Sequence, residues 1–488
     1  MATIITKDTL RASVEAATGG LVTVLYDEGG HPSYMRRIPK CKIEDVCPDL
    51  GLAGTHPAFI VNGVEKSELF IGVYPASVVD KYGVSLPGVE PAHTLNFDQA
   101  VNYCKAKGPG WHLMSNAEWA LLGAMGLKSG FQPRGNTYWG LHHEMKHETG
   151  TLTDGAGELG VYDETLHGRT LTGSGPVSWR HDNSPAGIAD LVGNVWEWTG
   201  GMRLINGEIQ ILKDNDAAGS EAASAPSSAW KAILQNGSLV APGTAATLKM
   251  DAVGSNGTGA VKINTTITSQ YPSTDDKTSS ACAFTAMTAQ TGVTIPAIMK
   301  LLGLYPVSGN GPVGNIWHRN AGERLALRGG SYGAGGGAGL FALFLSVHCT
   351  SGGQNVGFRP ALAPSLEAAW PRLCGQQGQK GITSPPDVSG ETTAIPARLV
   401  APANTARGYI KGAICRRQPA ICGHGCSTGK TCFWRPRKRR ATSGAAVKSY
   451  GSMRGSRKNC CICGIFYVRS NGIRGPSASF TFMNPSVA

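Results

Sequence analysis

The feature that most constrains the fold of this chain is a glycine-rich stretch that runs directly into an apolar segment. Seven of the eleven residues from Gly329 to Gly339 are glycine. Glycine weakens helices and strands because it loses more backbone freedom on ordering than any other residue. The stretch is therefore predicted to be a turn, and the segment after it, LFALFLSV (residues 340–347), is predicted to be a strand. The domain must hold a length of nearly bare backbone beside that strand.

The composition predicts a folded body and no membrane insertion. Apolar residues make up 41% of the 488 residues, enough for a core, and the 66 glycines favour a loop-rich fold. No apolar run reaches the roughly eighteen residues that a spanning helix needs. The first twenty residues lack a long apolar centre and carry Asp8 and Glu15. The chain is therefore predicted to be made in the cytoplasm without a signal peptide.

Positive charge and cysteines are concentrated towards the C-terminal end. Residues 375–488 hold 18 Lys and Arg against 2 Asp and Glu, which leaves 27 basic and 31 acidic residues elsewhere. Seven of the 13 cysteines and the run RPRKRR (residues 435–440) lie in the same part. Residues 366–488 are predicted to be a basic, cysteine-rich tail that is disordered or aberrant. The alternative is nucleic-acid binding through this tail, because basic runs attract phosphate.

Periodicity in the remaining chain predicts an α+β domain. Residues 57–77 have the pattern of a hairpin with Asn62-Gly63 as its turn. Two amphipathic helices are predicted, NFDQAVNYCKAKG and SNAEWALLGAMG, and in the second Ser115 and Glu118 have the spacing of a capping box. Residues 130–190 are polar and glycine-rich, which predicts long loops. Helices of this kind beside many short strands are typical of α+β domains.

Three sequence blocks occur in a fixed order along this domain: HLMSNAEWALLGA, SPAGIADLVGNVWEWTGG and LALRGGSY…NVGFRPAL. They resemble the signature blocks of the formylglycine-generating-enzyme family. The resemblance implies a C-type-lectin-like fold of the formylglycine-generating-enzyme (sulfatase-modifying factor) type, loop-rich and with a long insertion. It covers residues 55–365, with the insertion at 203–312, and leaves residues 1–54 as an N-terminal β-rich segment.

The enzymes of that family use a pair of copper-binding cysteines shortly after the RGGS block. The matching positions in this chain are Ala334 and Gly339, which have no thiol to coordinate a metal. His348 and Cys349 lie further on and out of register. The chain is therefore predicted not to be an enzyme; the alternative is a metal-dependent enzyme of the same family.

The third block is also similar to the variable proteins of diversity-generating retroelements. There the segment from RGG to GFR is rewritten from a template whose adenines are copied unfaithfully, and the typical pattern reads RGGNWNNGSNAGVFALNLNN…NVGFR. Residues 328–359 align with this pattern. The positions that keep it are Arg328, Gly329, Gly330, Ala338, Gly339, Phe341, Ala342, Leu343, Leu345, Gly357, Phe358 and Arg359. The positions that have asparagine in the pattern and another residue here are Ser331, Gly333, Ala334, Gly337, Phe344, Ser346 and Val347.

Strand geometry divides the apolar segment into two faces. Side chains alternate along a strand, so Phe341, Leu343 and Leu345 are predicted to face the core. Phe344, Ser346 and His348 are predicted to face outward, with Phe344 as an aromatic anchor and a bulge or strand end at Val347. A competing interpretation makes the glycines a flexible loop and the strand core on both faces. The predicted ligand-binding residues are Ser331, Tyr332, Gly333, Ala334, Gly336, Gly337, Phe344, Ser346, Val347 and His348.

Two further motifs are candidates for metal binding. The segment from His143 to His147 matches HExxH, the zinc-protease signature, but it lacks the apolar face that would dock such a helix. Loop histidines are therefore predicted, and a zinc site is the alternative. In GNVWEW, the family resemblance implies that Asn194 and Glu197 bind calcium with backbone carbonyls. The alternative is that the tryptophans are core and Glu197 is hydrogen-bonded inside. No cofactor is expected to be required, and calcium is the candidate ion.

These features together predict a ligand-binding protein diversified by a retroelement, of the kind that recognises host receptors from a phage tail. The expected partners are a host-cell surface receptor or another protein or glycan ligand, together with virion tail proteins. Nucleic acid is not expected as a partner. The predicted location is a virion tail or a cell surface.

Overall fold

The structure, a computed structural model, describes residues 8–219, 227–272, 279–307 and 311–364. The predicted tail at 366–488, with its basic run and its cysteines, lies outside the described residues. The helices in the described part are α1 (Thr9–Thr18), α2 (Ile43–Val46), α3 (Phe97–Lys105), α4 (Asn116–Ser129) and α5 (Ala297–Leu301). Within the described ranges, no helix is both long enough and apolar enough to cross a membrane.

Short strands make up most of the regular structure, as the α+β prediction requires. In chain order they are β1 (Val22–Tyr26), β2 (Pro32–Pro39), β3 (Ile60–Val61), β4 (Val64–Glu65), β5 (Glu68–Gly72), β6 (Ala76–Val79), β7 (Tyr82–Ser85), β8 (Trp111–Leu113), β9 (Trp196–Ile205), β10 (Glu208–Leu212), β11 (Trp230–Ile233), β12 (Leu239–Val240), β13 (Lys249–Ala252), β14 (Val261–Asn264), β15 (Ser280–Ala283), β16 (Thr288–Ala289), β17 (Asn315–His318), β18 (Glu323–Gly329), β19 (Gly339–Val347), β20 (Val356–Phe358) and β21 (Pro360–Leu362).

These strands form two large sheets and two small hairpins. One sheet has five strands in the order β1-β2-β5-β21-β8. The other has twelve strands, whose main path runs β15-β17-β19-β18-β9-β10-β13-β14-β16. The small hairpins are β3-β4 and β6-β7. The apolar strand β19 lies inside the larger sheet, parallel to β17 and antiparallel to β18.

The local predictions for the turns and helices are confirmed. Asn62 and Gly63 both have positive φ, 50° and 74°, which is the turn geometry that joins β3 to β4. Helix α4 begins at the predicted capping box, because Glu118 N donates to Ser115 Oγ and Ser115 N donates to the Glu118 carboxylate. Residues 130–190 contain one short 3₁₀ turn, Val177–Trp179, and isolated bridges, as the loop prediction required.

Strand β19 is covered on both faces. Helix α4 packs on one face: the indole of Trp119 donates to Leu340 O at 2.7 Å, and the Phe341 ring lies against Gly123. Helix α3 belongs to a second apolar cluster, which also contains Trp196, Trp198 and Ala342 of the central strands. Because Leu343 belongs to the first cluster and Ala342 to the second, β19 separates two cores.

The structure shows how the predicted segments meet, although their boundaries stay predictions. The N-terminal segment 1–54 supplies β1 and β2, and β2 pairs with β5 of the following domain. The predicted insertion at 203–312 supplies β10 to β16, and β10 pairs directly with β9. The segment 203–312 therefore extends the larger sheet.

Candidate functional site

The glycine-rich stretch is the connection between two antiparallel neighbours, β18 and β19. It leaves the sheet after Gly329, makes a 3₁₀ turn at Gly335–Gly337 and re-enters the sheet at Gly339. The prediction of a turn followed by a strand is therefore confirmed. We call residues 331–337 the glycine turn.

Main-chain hydrogen bonds fix the path of the glycine turn. Tyr332 N donates to Asn194 O at 3.0 Å, and Trp139 N donates to Tyr332 O at 2.8 Å. Gly335 N donates to Thr137 O at 2.9 Å. These bonds tie the turn to two other parts of the chain, so the flexible-loop interpretation does not describe it.

Three glycines at the ends of the stretch have no room for a side chain. A Cβ on Gly329 would lie 2.5 Å from Leu191 O, and a Cβ on Gly330 would lie 2.5 Å from that of Ala338. A Cβ on Gly339 would overlap the carbonyl oxygen of Val313. Real Cβ atoms essentially never come within 3.0 Å of such neighbours, so these positions require glycine.

Glycines within the turn meet only side chains. A Cβ on Gly336 would be 3.5 Å from Nε2 of His143, which is ordinary contact. At Gly333 the nearest atom, 3.0 Å away, belongs to the Trp139 ring, and at Gly337 it belongs to the Trp317 ring at 2.9 Å. All three residues have ordinary negative φ, so a side chain is accommodated at Gly336 and needs a small ring movement at the other two.

The predicted core face of β19 is confirmed, and the predicted outward face is exposed at His348, partly exposed at Phe344 and buried at Ser346. Phe341, Leu343 and Leu345 are buried in the first core. Phe344 is half-buried, with its ring centre 5.5 Å from that of Trp196 and 5.9 Å from that of Trp317. The competing interpretation, core on both faces, therefore describes most of this strand.

A bulge explains the largest error on β19. Leu325 pairs with Val347 and Leu327 pairs with Phe344, so β19 contains one residue more than β18 between these pairs. The extra residue breaks the alternation, as predicted near Val347. It also leaves Ser346 only 2% exposed, with an Oγ that has no hydrogen-bond partner among the described residues. Ser346 is therefore not available to a ligand in this structure.

The other predicted ligand-binding residues divide into a buried one and an accessible set. Ser331 is only 4% exposed, and its Oγ accepts from Asn355 Nδ2 at 3.4 Å, so the structure buries this predicted ligand-binding residue. Partly or fully exposed residues are Tyr332, Gly333, Ala334, Gly336, Gly337, Phe344, Val347 and His348. The structure thus brings the glycine turn and the end of β19 to the surface.

Sequence reasoning missed an aromatic group beside the glycine turn. The ring centre of Trp139 lies 5.7 Å from that of Tyr332, 5.4 Å from that of Tyr138 and 4.9 Å from that of Tyr162. Trp139 is buried, whereas Tyr138 and Tyr162 are 36% and 58% exposed. Both tyrosines lie in loops without periodicity, so no sequence pattern marks them as neighbours of the turn.

The HExxH segment is a turn, not a helix. Leu141 and Thr149 form a bridge on either side of it, and His142 Nδ1 accepts hydrogen bonds from the backbone N–H groups of Glu144 and Met145. His143 and His147 therefore do not lie one helical turn apart on a helix face, as the zinc signature requires. The prediction of loop histidines is confirmed, and His143 lies beside Gly336.

Asn194 and Glu197 do not fit a calcium site. Asn194 Oδ1 accepts from Thr170 N at 2.9 Å, and its Nδ2 donates to Thr170 O at 3.0 Å. The Glu197 carboxylate accepts from Nε and Nη2 of Arg359 at 2.9 and 2.5 Å. The guanidinium of Arg359 thus occupies the position that a metal bound to Glu197 would need. The geometry matches the alternative in which Glu197 is hydrogen-bonded inside the core. Among the residues that the structure describes, no group of three or more His, Cys, Asp or Glu could hold a metal ion.

Glu148 fixes the loop that carries His143. Its carboxylate accepts from Arg134 Nε and Nη2 and from the indole of Trp179 at 3.0 Å. The Arg134 hydrogen bonds lower the pKa of Glu148 from its ordinary 4.5 to about 2, although burial acts in the opposite direction. Glu148 is therefore charged throughout the neutral and mildly acidic range.

A pH dependence of stability follows from this shift. Because the folded pKa of Glu148 lies below its unfolded value, its stabilising contribution is complete above pH 4.5 and is lost as the pH falls towards 2. We expect Glu148→Gln to remove that part of the acid dependence, measured as the midpoint of urea unfolding at several pH values. Glu144→Gln, on the same loop with a 72% exposed side chain, is the control and should keep the wild-type profile. Identical profiles for wild type and Glu148→Gln would contradict the assignment.

The domain as a whole is an α+β domain with the C-type-lectin-like fold of the formylglycine-generating-enzyme type. Residues 76–222 match the family described as the sulfatase-modifying factor enzyme 1-like domain. This range includes the first two of the three sequence blocks and ends before the glycine turn. The family match confirms the fold that the blocks predicted.

A solved structure and the curated proteins complete the comparison. The chain is similar to Treponema denticola variable protein 1 at 12% sequence identity, over 70% of this chain and 99% of that chain, with a TM-score of 0.26. No curated protein matches the sequence.

Proposed function

We propose that this chain is a ligand-binding protein whose glycine turn and adjoining strand are diversified by a retroelement. The ligand is a receptor on a host-cell surface, of protein or glycan nature, and the binding protein is carried on a phage tail. The protein has no catalytic role. The variable contacts come from the accessible predicted residues, which are Tyr332, Gly333, Ala334, Gly336, Gly337, Phe344, Val347 and His348.

The observation that carries the proposal is the division among the glycines. Gly329, Gly330 and Gly339, which keep the retroelement pattern, have backbone or Cβ atoms where a Cβ would go. At Gly333 and Gly337, where the pattern has asparagine, a Cβ would meet side chains only: the Trp139 ring at Gly333, and the Trp317 ring and the Asn315 amide at Gly337. The pattern thus varies positions where the fold tolerates a side chain and keeps positions where it does not.

The other positions follow the same division with two exceptions. Residues that keep the pattern, such as Arg328, Leu343 and Phe358, are fully buried. Of the residues that differ from it, Ala334, Phe344 and Val347 are partly exposed, whereas Ser331 and Ser346 are buried. The unpaired hydroxyl of Ser346 costs about 1–3 kcal/mol, an imperfection consistent with a residue drawn by chance.

The absence of the two thiols supports the non-enzymatic part of the proposal. Ala334 is in the glycine turn and Gly339 begins β19, so neither position of the copper-binding pair offers a ligand to a metal. At Gly339 no side chain of any kind fits. Oxidation by the mechanism of the related enzymes is therefore not expected.

The experiment that tests the proposal is sequencing of the DNA on both sides of the gene. We expect an imperfect copy of the codons for residues 328–359 that differs only where the copy has adenine, with a reverse-transcriptase gene beside it. The codons for residues 112–124, from the first block, are the control and should have no second copy. A flanking region without such a copy, or a copy that differs at other bases, would contradict diversification.

A further inference from the structure

We propose that an apolar surface outside the variable segment, formed by Tyr138, Leu159, Val161 and Tyr162, is a fixed part of the ligand-binding site. We call these four residues the platform. The partner that fits it is a protein surface with lysine or arginine side chains around an apolar centre. This inference rests on the proposed function, because it extends the same binding site.

The platform consists of four exposed apolar side chains, three of which contact Trp139 or Gly140. Its residues are 36%, 47%, 46% and 58% exposed in chain order. Both tyrosine rings pack on Trp139, and Leu159 lies against Gly140, where a Cβ would be 2.5 Å from its Cδ2. Gly160, between Leu159 and Val161, donates its N–H to Trp139 O at 2.7 Å. Large apolar side chains exposed together in this way mark an interaction surface.

Trp139 connects the platform to the glycine turn. The ring centres of Trp139 and Tyr332 are 5.7 Å apart, and the backbone N–H of Trp139 donates to Tyr332 O. The edge of the Trp139 ring lies over Gly333. A ligand seated on the glycine turn therefore meets the platform as well. The turn supplies contacts that change, and the platform supplies apolar contact that stays the same.

The charges around the platform select the chemistry of the partner. Residues 138–166 contain six Asp and Glu and one lysine, Lys146. One of the six, Glu148, is buried and paired with Arg134, which leaves a net charge of −4 with neutral histidines. Glu158 precedes Leu159, and Asp163 and Glu164 follow Tyr162, so carboxylates flank the apolar residues along the chain. A polar rim around an apolar centre is the usual anatomy of a protein interface. Complementary charge on the partner requires lysine or arginine.

A glycan is a poorer match for the same surface. Neutral sugars carry no cation to pair with the flanking carboxylates, and acidic sugars would be repelled by them. Sugars stack on aromatic rings, but Leu159 and Val161 offer aliphatic surface instead. The aliphatic residues and the acidic flanks therefore both favour a basic protein surface.

Selection from a phage-displayed library of random dodecapeptides tests the inference with the full-length chain. The platform variant is Leu159→Ser/Val161→Ser/Tyr162→Ser. Its matched control, Leu21→Ser/Val253→Ser/Tyr26→Ser, makes the same three changes at residues that are 45%, 61% and 44% exposed. Circular dichroism and melting temperature establish that both variants are folded.

We expect the wild type to select peptides that combine Lys or Arg with large apolar residues. Their affinity should fall more than about tenfold in the platform variant, which corresponds to roughly 1.4 kcal/mol, and should stay unchanged in the control. High salt should weaken the binding because it screens the carboxylates. Equal binding by the platform variant, or selection of acidic peptides, would overturn the inference. If the wild type bound glycans on an array and selected no peptides, the inference of a protein partner would be wrong.

A third variant separates this inference from the proposed function. Gly336→Arg adds a cation at the exposed part of the glycine turn and should also weaken basic peptides. If Gly336→Arg leaves affinity unchanged while the platform variant loses it, the platform binds and the variable turn does not. If Gly336→Arg alone abolishes binding, the turn binds and the platform inference is wrong.

Discussion

Gly339→Ala is expected to destabilise the domain by at least about 3 kcal/mol, in the upper range for overpacked sites. The added Cβ would overlap Val313 O, and Gly339 is the first residue of β19, which pairs with strands on both sides. Val313 O also accepts from Phe341 N at 3.0 Å, so moving this carbonyl away from Gly339 would break a bond that holds β19. The midpoint of urea unfolding, with an unchanged dependence on urea concentration, measures the loss.

Gly336→Ala is the matched control for this prediction. Its φ is negative and its nearest neighbour is the His143 ring at 3.5 Å, so the same methyl group is accommodated. We expect a change within about 0.5 kcal/mol, or a slight gain because alanine restricts the unfolded chain. Equal losses of unfolding free energy in Gly336→Ala and Gly339→Ala would contradict the conclusion that Gly339 has less room for a side chain than Gly336.

Arg359→Met is expected to cost about 3–5 kcal/mol, the usual effect of removing one partner from a buried ion pair. Arg359 is fully buried, bonds both oxygens of Glu197, and donates to Gly72 O and Ala189 O. Removing it leaves a buried carboxylate and two carbonyls without their donor. Burial already raises the pKa of Glu197, and Arg359 offsets part of that increase.

The pH dependence of the Arg359→Met variant distinguishes an unpaired carboxylate from lost packing. Without the arginine, Glu197 folds more easily as the neutral acid, so the loss should grow as the pH rises above the ordinary pKa of a glutamate. The double variant Arg359→Met/Glu197→Met should recover part of the stability, and the cycle of the four proteins gives the coupling. A loss that is independent of pH, with no recovery in the double variant, would contradict the role of the ion pair.

The features that could be predicted from the sequence are those determined by residues close together in the chain. The capping box of α4 depends on Ser115 and Glu118, three positions apart, and the hairpin turn depends on two adjacent residues. The turn between β18 and β19 follows from glycine content alone. The three ordered sequence blocks extend such prediction to the whole fold. Each block indicates a local structure, and the order of the blocks along the chain indicates the topology.

Contacts between distant parts of the chain could not be predicted in the same way. Alternation correctly placed Leu343 and Leu345 in the core, but it cannot tell what covers the opposite face. Helix α3 and Trp196 cover it here, and they lie more than 140 residues earlier in the chain. The bulge that buries Ser346 depends on pairing with β18, which the sequence of β19 does not contain.

The platform was missed for a similar reason. Tyr138 and Tyr162 are separated by a loop that has neither helical nor strand periodicity. Both pack on Trp139, because Gly140 and Gly160 allow the loop to fold closely over that residue. Nothing in the residue types of such a loop specifies which side chains are left at its surface.

The main-chain bonds of the glycine turn have a consequence for how such a site can change over generations. The bonds from Trp139, Tyr332 and Gly335 join backbone atoms only, so they do not depend on which side chains the turn carries. Under the proposed diversification, a new set of residues inherits the same path, and the entropy of ordering that path is already included in the folding of the domain. Each sequence that the proposed diversification produces would therefore bind its ligand with a loop that is already ordered, which leaves more of its contact energy for affinity.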